Sequence, residues 1–321
     1  MVVKIASWTE PLRHPELGRL RAWHLVCPSE ALRPGQVMRW STGARELVLF
    51  RGRSGTVHAL SAHCAHMGAH LGGGTVVGDQ LRCPLHHWRF DGSGACVAGG
   101  GAGQRAFPVV ERHGAILVFN GPVMLFPPPD VGDSEWRWGL SSPFQVRCDW
   151  LPVVANAFDL VHLRTVHHRE LRDAPVVERV DPFTLRVRYT SRVTGSGVSD
   201  RVMKLLSRDH IGVALTLHGG TLLTVESDLG RTRSALMAGL QQTSEGLTVQ
   251  LAFATRRSRV PSLDWLKLAV SRWLFTSFLR RDLSVLDGMR FNKAGAAEDP
   301  VLRQVLDFIA SLPEAPDDDR G

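Results

Sequence analysis

Residues 64–94 read CAHMGAHLGGGTVVGDQLRCPLHHWRFDGSG, and the fold of the first third of the chain turns on this stretch. Cys64 and His66 stand one residue apart, sixteen residues follow, and then come Cys83 and His86. Two thiolates and two imidazoles at such spacing can close around metal. The donor set suits either tetrahedral zinc or a [2Fe–2S] cluster in which one iron takes both imidazoles. The spacing argues for the cluster. Zinc fingers more often pair Cys with Cys and His with His, whereas each loop here supplies one of each. Glycine is dense around the pair, which lets backbone amides approach and hydrogen-bond the sulfurs. His63, His70 and His87 fall outside the ligand spacing and read as bystanders.

On either side of this stretch, residues 20–121 read as β-rich. Short apolar runs at 46–50, 56–60 and 115–119 are separated by Gly, Pro and Ser about every ten residues. The run Phe126-Pro-Pro-Pro-Asp130 can continue neither a helix nor a central strand. It sets the expected domain boundary, 1–126 and 127–321. Beyond it, residues 152–168 are predicted helical. Alternating stretches between 176 and 256 predict a mostly antiparallel sheet. Apolar residues recur at helical spacing from Ser262 to Met289, and a last helix is expected over about 299–312. The tail DDDRG is expected to be disordered.

His162 and His167 lie five apart on the first predicted helix. Five residues turn a regular helix by about 500°, so the two rings diverge by about 140°. They can share a metal only if the helix is distorted or ends between them. Helical spacing alone therefore does not favour a shared site.

The quoted stretch resembles the Rieske motif, Cys-x-His, a spacer of fifteen to seventeen residues, and Cys-x-x-His. With Asp159-x-x-His162-x-x-x-x-His167 downstream, the chain resembles the Rieske non-haem iron oxygenases over nearly its whole length. That resemblance implies an α+β chain: an N-terminal all-β Rieske domain and a C-terminal helix-grip-like catalytic domain with an antiparallel sheet and helices. It implies a [2Fe–2S] cluster on Cys64, His66, Cys83 and His86. It also implies Fe(II) on His162, His167 and one carboxylate from the last third of the chain, with positions left open for O2. Family members usually carry Gly directly after the second Rieske His, and here that residue is His87.

Asp264, Asp282, Asp287 and Asp299 compete for the carboxylate role. Asp282 has Phe278, Leu279, Val285 and Leu286 one helical turn away, so it lies on an apolar face and needs a metal or a partner. Pairing with Arg280 or Arg281 is the alternative. Asp264 and Asp287 read as solvated. By resemblance, Asp159 bridges His162 to His86 of the next subunit in a head-to-tail homotrimer. Asn156 either lines the same channel or caps a helix.

The chain has no GxGxxG unit at a strand–helix junction and no second four-Cys cluster, so NAD(P)H is expected to act only through a separate reductase or ferredoxin. Length and the pattern of the C-terminal half resemble most the 3-ketosteroid 9α-hydroxylase and cholesterol 7-desaturase branch. That branch implies hydroxylation or desaturation of an apolar, steroid-like substrate. Aromatic-acid O-demethylation or ring hydroxylation, as in the vanillate-type enzymes, is the alternative. A Rieske electron carrier and an inactive scaffold subunit are rivals of another class.

Composition fits a soluble globular protein, with 44% hydrophobic and 21% charged residues. The net charge of +7 is spread without basic runs, which argues against nucleic-acid binding. Five cysteines do not make a disulfide framework. No apolar stretch is long enough to span a membrane, the start lacks the core of a signal peptide, and a cytoplasmic location is expected.

Overall fold

A computed structural model describes residues 15–131, 136–207, 210–258 and 260–315. The DDDRG tail and the first fourteen residues lie outside the described residues.

The first part is all β, as expected. Trp23–Pro28, Ala115–Phe119 and Val109–Arg112 form one sheet. Val37–Ser41, Glu46–Arg51, Val57–Ser61 and Ala106–Phe107 form a second. Thr75–Val77, Gln80–Arg82, Arg89–Phe90 and Cys96–Ala98 form a third, short sheet that carries the two Cys–His loops.

The second part is a nine-stranded antiparallel sheet. Its main path runs Trp136–Leu140, Gly246–Arg256, Arg233–Thr243, Leu222–Asp228, Ile211–His218, Thr184–Val193 and Arg169–Leu171. The helices among the described residues are α1 (Trp150–Phe158), α2 (Leu160–Thr165), α3 (Val198–Ser207), α4 (Pro261–Leu286), α5 (Lys293–Ala296) and α6 (Pro300–Ala310). α4 lies along the strand Gly246–Arg256, and its inward stripe includes Leu268, Ser271 and Asp282.

Two local readings change. The helix expected over 152–168 is broken at Asp159, whose extended backbone ends α1 and whose carboxylate caps α2 by accepting from the Val161 and His162 amides, each at 3.0 Å. Helix α3 has no counterpart in the sequence reading. Its apolar residues Met203 and Leu206 pack against the small cluster of Val193, Ile211 and Leu229.

The residues before the proline run have two apolar clusters of their own, one with Leu47, Leu49 and Ile116 and one with Phe50, Leu71 and Phe90, and share a third with the rest of the chain. Trp23, Leu117 and Phe119 belong to one apolar cluster with Leu217, Met237 and Phe253. Trp23 Nε1 donates to the Phe126 carbonyl at 2.9 Å, and Thr221 Oγ1 donates to the Trp23 carbonyl at 2.6 Å. The approach is close: a Cβ on Gly239 would stand 2.6 Å from Leu25 Cβ. That third cluster crosses the proline run.

Candidate functional site

The two Cys–His loops are built alike. The Cys64 amide donates to the Ala69 carbonyl at 2.9 Å, and the Cys83 amide donates to the Trp88 carbonyl at 2.8 Å. Each loop is closed five residues after its Cys. Four residues after each Cys the backbone turns left-handed, at Gly68 (φ 73°) and at His87 (φ 61°). The residue following the second His therefore occupies a conformation that glycine adopts without strain and histidine does not.

Both sulfurs are buried, and the Cys64 and Cys83 thiols lie within hydrogen-bonding reach of one another. Burial pushes the Cys64 thiol above its ordinary value, while the His66 and Met67 amides, aimed at the sulfur, oppose that rise. The His66 and His86 rings lie 4.7 Å apart, centre to centre, and both are exposed. Trp88 stacks flat on His66 at 4.3 Å. Two inner thiols, two outer imidazoles and amides directed at a sulfur are a donor set that fits a [2Fe–2S] cluster.

The second constellation is tighter. His162 Nε2 lies 2.7 Å and His167 Nε2 2.6 Å from the same oxygen, Asp282 Oδ1, and the two nitrogens are 3.0 Å apart. All three side chains are buried. They meet because α2 ends at Thr165, which swings His167 out of helical register. Phe278, one turn before Asp282 on α4, stacks on the His167 ring at 3.4 Å. The next residue, His168, is left-handed, so the chain turns sharply beyond the site.

Burial pushes the His167 imidazole below its ordinary value despite the nearby carboxylate, which keeps it neutral. Burial alone would raise the Asp282 carboxyl, but hydrogen bonds from His162 and His167 bring it below its ordinary value. Neutral imidazoles and an ionised carboxylate are the ligating forms. Two nitrogens and one carboxylate oxygen within 4.8 Å fit a 2-His-1-carboxylate ferrous site.

The competing carboxylates have other partners. Asp287 forms an exposed pair with Arg147 at 2.7 Å, and Asp299 caps α6. Asp264, expected to be solvated, is covered by its own loop and accepts from the Ser258 amide and hydroxyl. Arg281, the alternative partner for Asp282, sits 3.9 Å from Asp200 instead. Asn156 caps nothing: Asp149 caps α1, and Asn156 lines the cavity beside the site. Asp159 accepts its hydrogen bonds from backbone amides of α2.

A cavity of about 540 Å³ opens from this cluster between the sheet, α3 and α4. Its walls are mostly apolar, with Val249, Leu251, Leu236, Phe275 and Phe278 among them. Sequence reading missed Asp200, which is buried on α3 and pairs with the equally buried Arg169 at 2.9 Å. Nothing local marks the pair, since Arg169 stands in the polar run His167-His168-Arg169-Glu170-Leu171-Arg172-Asp173.

Residues 22–109 match the family model described as Rieske [2Fe-2S] domain. This chain carries a Rieske [2Fe–2S] domain. Similarity to known proteins reaches beyond the Rieske domain. The oxygenase component of 3-ketosteroid-9-alpha-monooxygenase from Rhodococcus rhodochrous is 25% identical over 246 residues, covering 72% of this chain and 61% of that protein. Cholesterol 7-desaturase from Ciona intestinalis is 46% identical over 159 residues, covering 45% of this chain and 34% of that protein. The chain thus spans between about a third and three fifths of these relatives' length. The fold extends further than the sequence similarity. The structure of dicamba monooxygenase bound to dicamba superposes with a TM-score of 0.66 at 21% identity, covering 90% of this chain and 97% of that one. Among the described residues no helix is long and apolar enough to cross a membrane.

Proposed function

We propose that the chain is a Rieske-type oxygenase component, using O2 and electrons from a separate reductase to hydroxylate, demethylate or desaturate an apolar substrate. The reading rests on the buried His162–His167–Asp282 cluster opening onto an apolar cavity in a chain that also holds a Rieske domain. Cys64, His66, Cys83 and His86 would hold the cluster, and His162, His167 and Asp282 the ferrous ion. When bound, the cluster supplies single electrons and the ferrous ion supplies the site at which O2 is activated.

The chain's own residues do the rest. Phe278 fixes the His167 ring plane by stacking, and Asp282 orients both imidazoles through one oxygen. The apolar cavity walls exclude water from the reacting face. Asp159 would link neighbouring subunits in a head-to-tail trimer, meeting His86 of the next copy. Support for that contact lies at the Rieske loops, where His66 and His86 are exposed and flanked by the exposed apolar side chains of Met67 and Leu85. An apolar rim around two solvent-facing ligands suits a protein partner.

The wide cavity and the names of the relatives similar in sequence favour a steroid- or sterol-like substrate over a single-ring aromatic acid. The test is turnover with a reductase present, offered a steroid, an aromatic acid and an alkylammonium compound, alongside a count of iron and zinc. Steroid product with three irons per chain is expected. Zinc in place of iron, or two irons and no product from any substrate, would end this reading.

A further inference from the structure

Every residue that lines the cavity lies beyond residue 143, and the exposed and half-buried ones mark where it opens. Leu263 and Leu266 of α4, Met203 and Leu206 of α3, and Arg231 and Arg233 beside the turn between two strands border that mouth.

Both helices show apolar side chains to solvent there. On α3, Ser199, Met203 and Leu206 line the cavity. Val198, Val202 and Leu205 each stand one residue earlier, about 100° round the helix, and form a second stripe that does not. Val198 is 70% and Leu205 66% exposed. On α4, Leu263, Leu266, Val270 and Trp273 recur at i, i+3, i+7 and i+10, which is one face of a helix. Leu266 is 60% and Trp273 43% exposed. Single exposed apolar residues are ordinary, but two stripes at helical spacing beside one opening mark a surface that is covered in use.

Charge says by what. The ionisable side chains that α3 and residues 261–276 of α4 leave exposed or half-buried are Arg201, Lys204, Lys267 and Arg272, all cationic. The acids on the same stretches, Asp200 and Asp264, are buried and accept from Arg169 and from Ser258. Arg231 and Arg233 add to the cationic rim, where Asp228 pairs with Arg233 at 3.2 Å. A two-fold contact with a second copy would set these cations face to face. The core of a protein interface is depleted in lysine. Lys and Arg interleaved with apolar side chains instead match an anionic bilayer, where their stems lie along apolar surface and tryptophan sits at headgroup depth.

We infer that α3 and the first half of α4 form a docking surface for an anionic phospholipid bilayer, which seats the cavity mouth at the membrane–water boundary. The contact is peripheral, with Leu205, Leu266 and Trp273 entering the headgroup region and the cations meeting lipid phosphates. An apolar molecule dissolved in the bilayer then reaches the cavity without crossing water. The surface stands whatever reaction the metal cluster performs.

The test is co-sedimentation of the full, iron-loaded chain with vesicles of phosphatidylcholine alone or of phosphatidylcholine mixed with phosphatidylglycerol. Wild type is expected to bind the mixed vesicles roughly tenfold or more tightly than the neutral ones. Lys204→Glu with Arg272→Glu should abolish that preference. Arg33→Glu with Arg53→Glu changes the net charge equally among the residues before the proline run, and should leave the preference within about twofold. Leu205→Ser with Trp273→Ser, at exposed positions that do not line the cavity, should weaken binding to mixed vesicles about fivefold. Absence of a wild-type preference for mixed vesicles overturns the docking surface. Equal loss from the two charge pairs does so too, because net charge alone would then explain binding. Full binding by the Leu205→Ser, Trp273→Ser protein would leave the apolar stripes without a role and has the same consequence. Sedimentation without vesicles reads the rival occupant: an oligomer that Leu205→Ser with Trp273→Ser dissolves assigns the face to a second copy instead. Unfolding midpoints are measured for each variant, and the wild-type comparison of the two vesicles decides alone should one fail to fold. No arm reads turnover, so the outcome is independent of the oxygenase reading.

Discussion

His162 and His167 place their Nε2 atoms 3.0 Å apart although five residues of chain separate them. On a continuous helix the rings would diverge by about 140°. The chain resolves this by ending α2 at Thr165 and letting His167 return from a turn, braced by Phe278. The same Asp282 oxygen meets both nitrogens, which gives the first prediction its form.

Asp282→Ala should remove the third iron and leave the two of the Rieske cluster. Asp287→Ala should lose neither, because its carboxylate faces Arg147 at the surface. Metal analysis with the electron-spin signal of the reduced cluster reads both. Loss of iron in Asp287→Ala with retention in Asp282→Ala would reverse the ligand assignment.

Asp159→Asn should keep both metal sites loaded and slow turnover at least tenfold, about 1.4 kcal/mol on the barrier. The structure makes this variant informative. Asp159 also caps α2, and asparagine caps as well as aspartate, so the helix is preserved while the charge is lost. Full turnover in the variant, or activity as a strict monomer, would exclude the bridge between subunits.

His87→Gly should raise stability. A left-handed residue other than glycine costs roughly 1–2 kcal/mol, and glycine gives back roughly 0.4–1 kcal/mol in the unfolded chain, leaving a gain of about 0–1.6 kcal/mol. Gly68→Ala, at the matching position of the other loop, should shift the unfolding midpoint downwards. If His87→Gly lowers the midpoint, contacts of the His87 ring outweigh its backbone strain.

Acid should begin to weaken the fold above the range in which carboxylates are protonated. Burial holds His24 and His218 at about 4, well below the ordinary imidazole value of 6.5. Between those values the unfolded chain binds protons that the folded chain refuses, so stability is full above pH 6.5 and falls as pH drops towards 4. The loss is on the order of 3 kcal/mol per group at most. His24→Leu should flatten that part of the stability profile relative to wild type. Parallel profiles for the two proteins would mean that His24 does not contribute.

Some of this molecule is written in short stretches of sequence, and some is decided only when distant stretches meet. Cys64, His66, Cys83 and His86 were legible because their spacing reflects two local loops, each closed by a hydrogen bond five residues long. The antiparallel sheet was legible from period-two alternation, and α4 and α6 from helical periodicity. The apolar neighbours of Asp282 marked its face, because a helix converts sequence spacing into direction. The break at Asp159 was not legible: Asp within a helical pattern reads equally as an interior residue or a cap, and the choice fell to the packing around His162. Helix α3 and the buried Arg169–Asp200 pair were equally hidden, since thirty-one residues separate the two charges. Likewise, nothing local distinguishes Thr255 or Ser271 from any other hydroxyl. Only the meeting of α4 with the strand Gly246–Arg256 buries both against one cavity and leaves them without a partner. Local geometry is set by covalent spacing and backbone preference; which distant side chains face one another is set by long-range burial, which no single stretch of this chain contains.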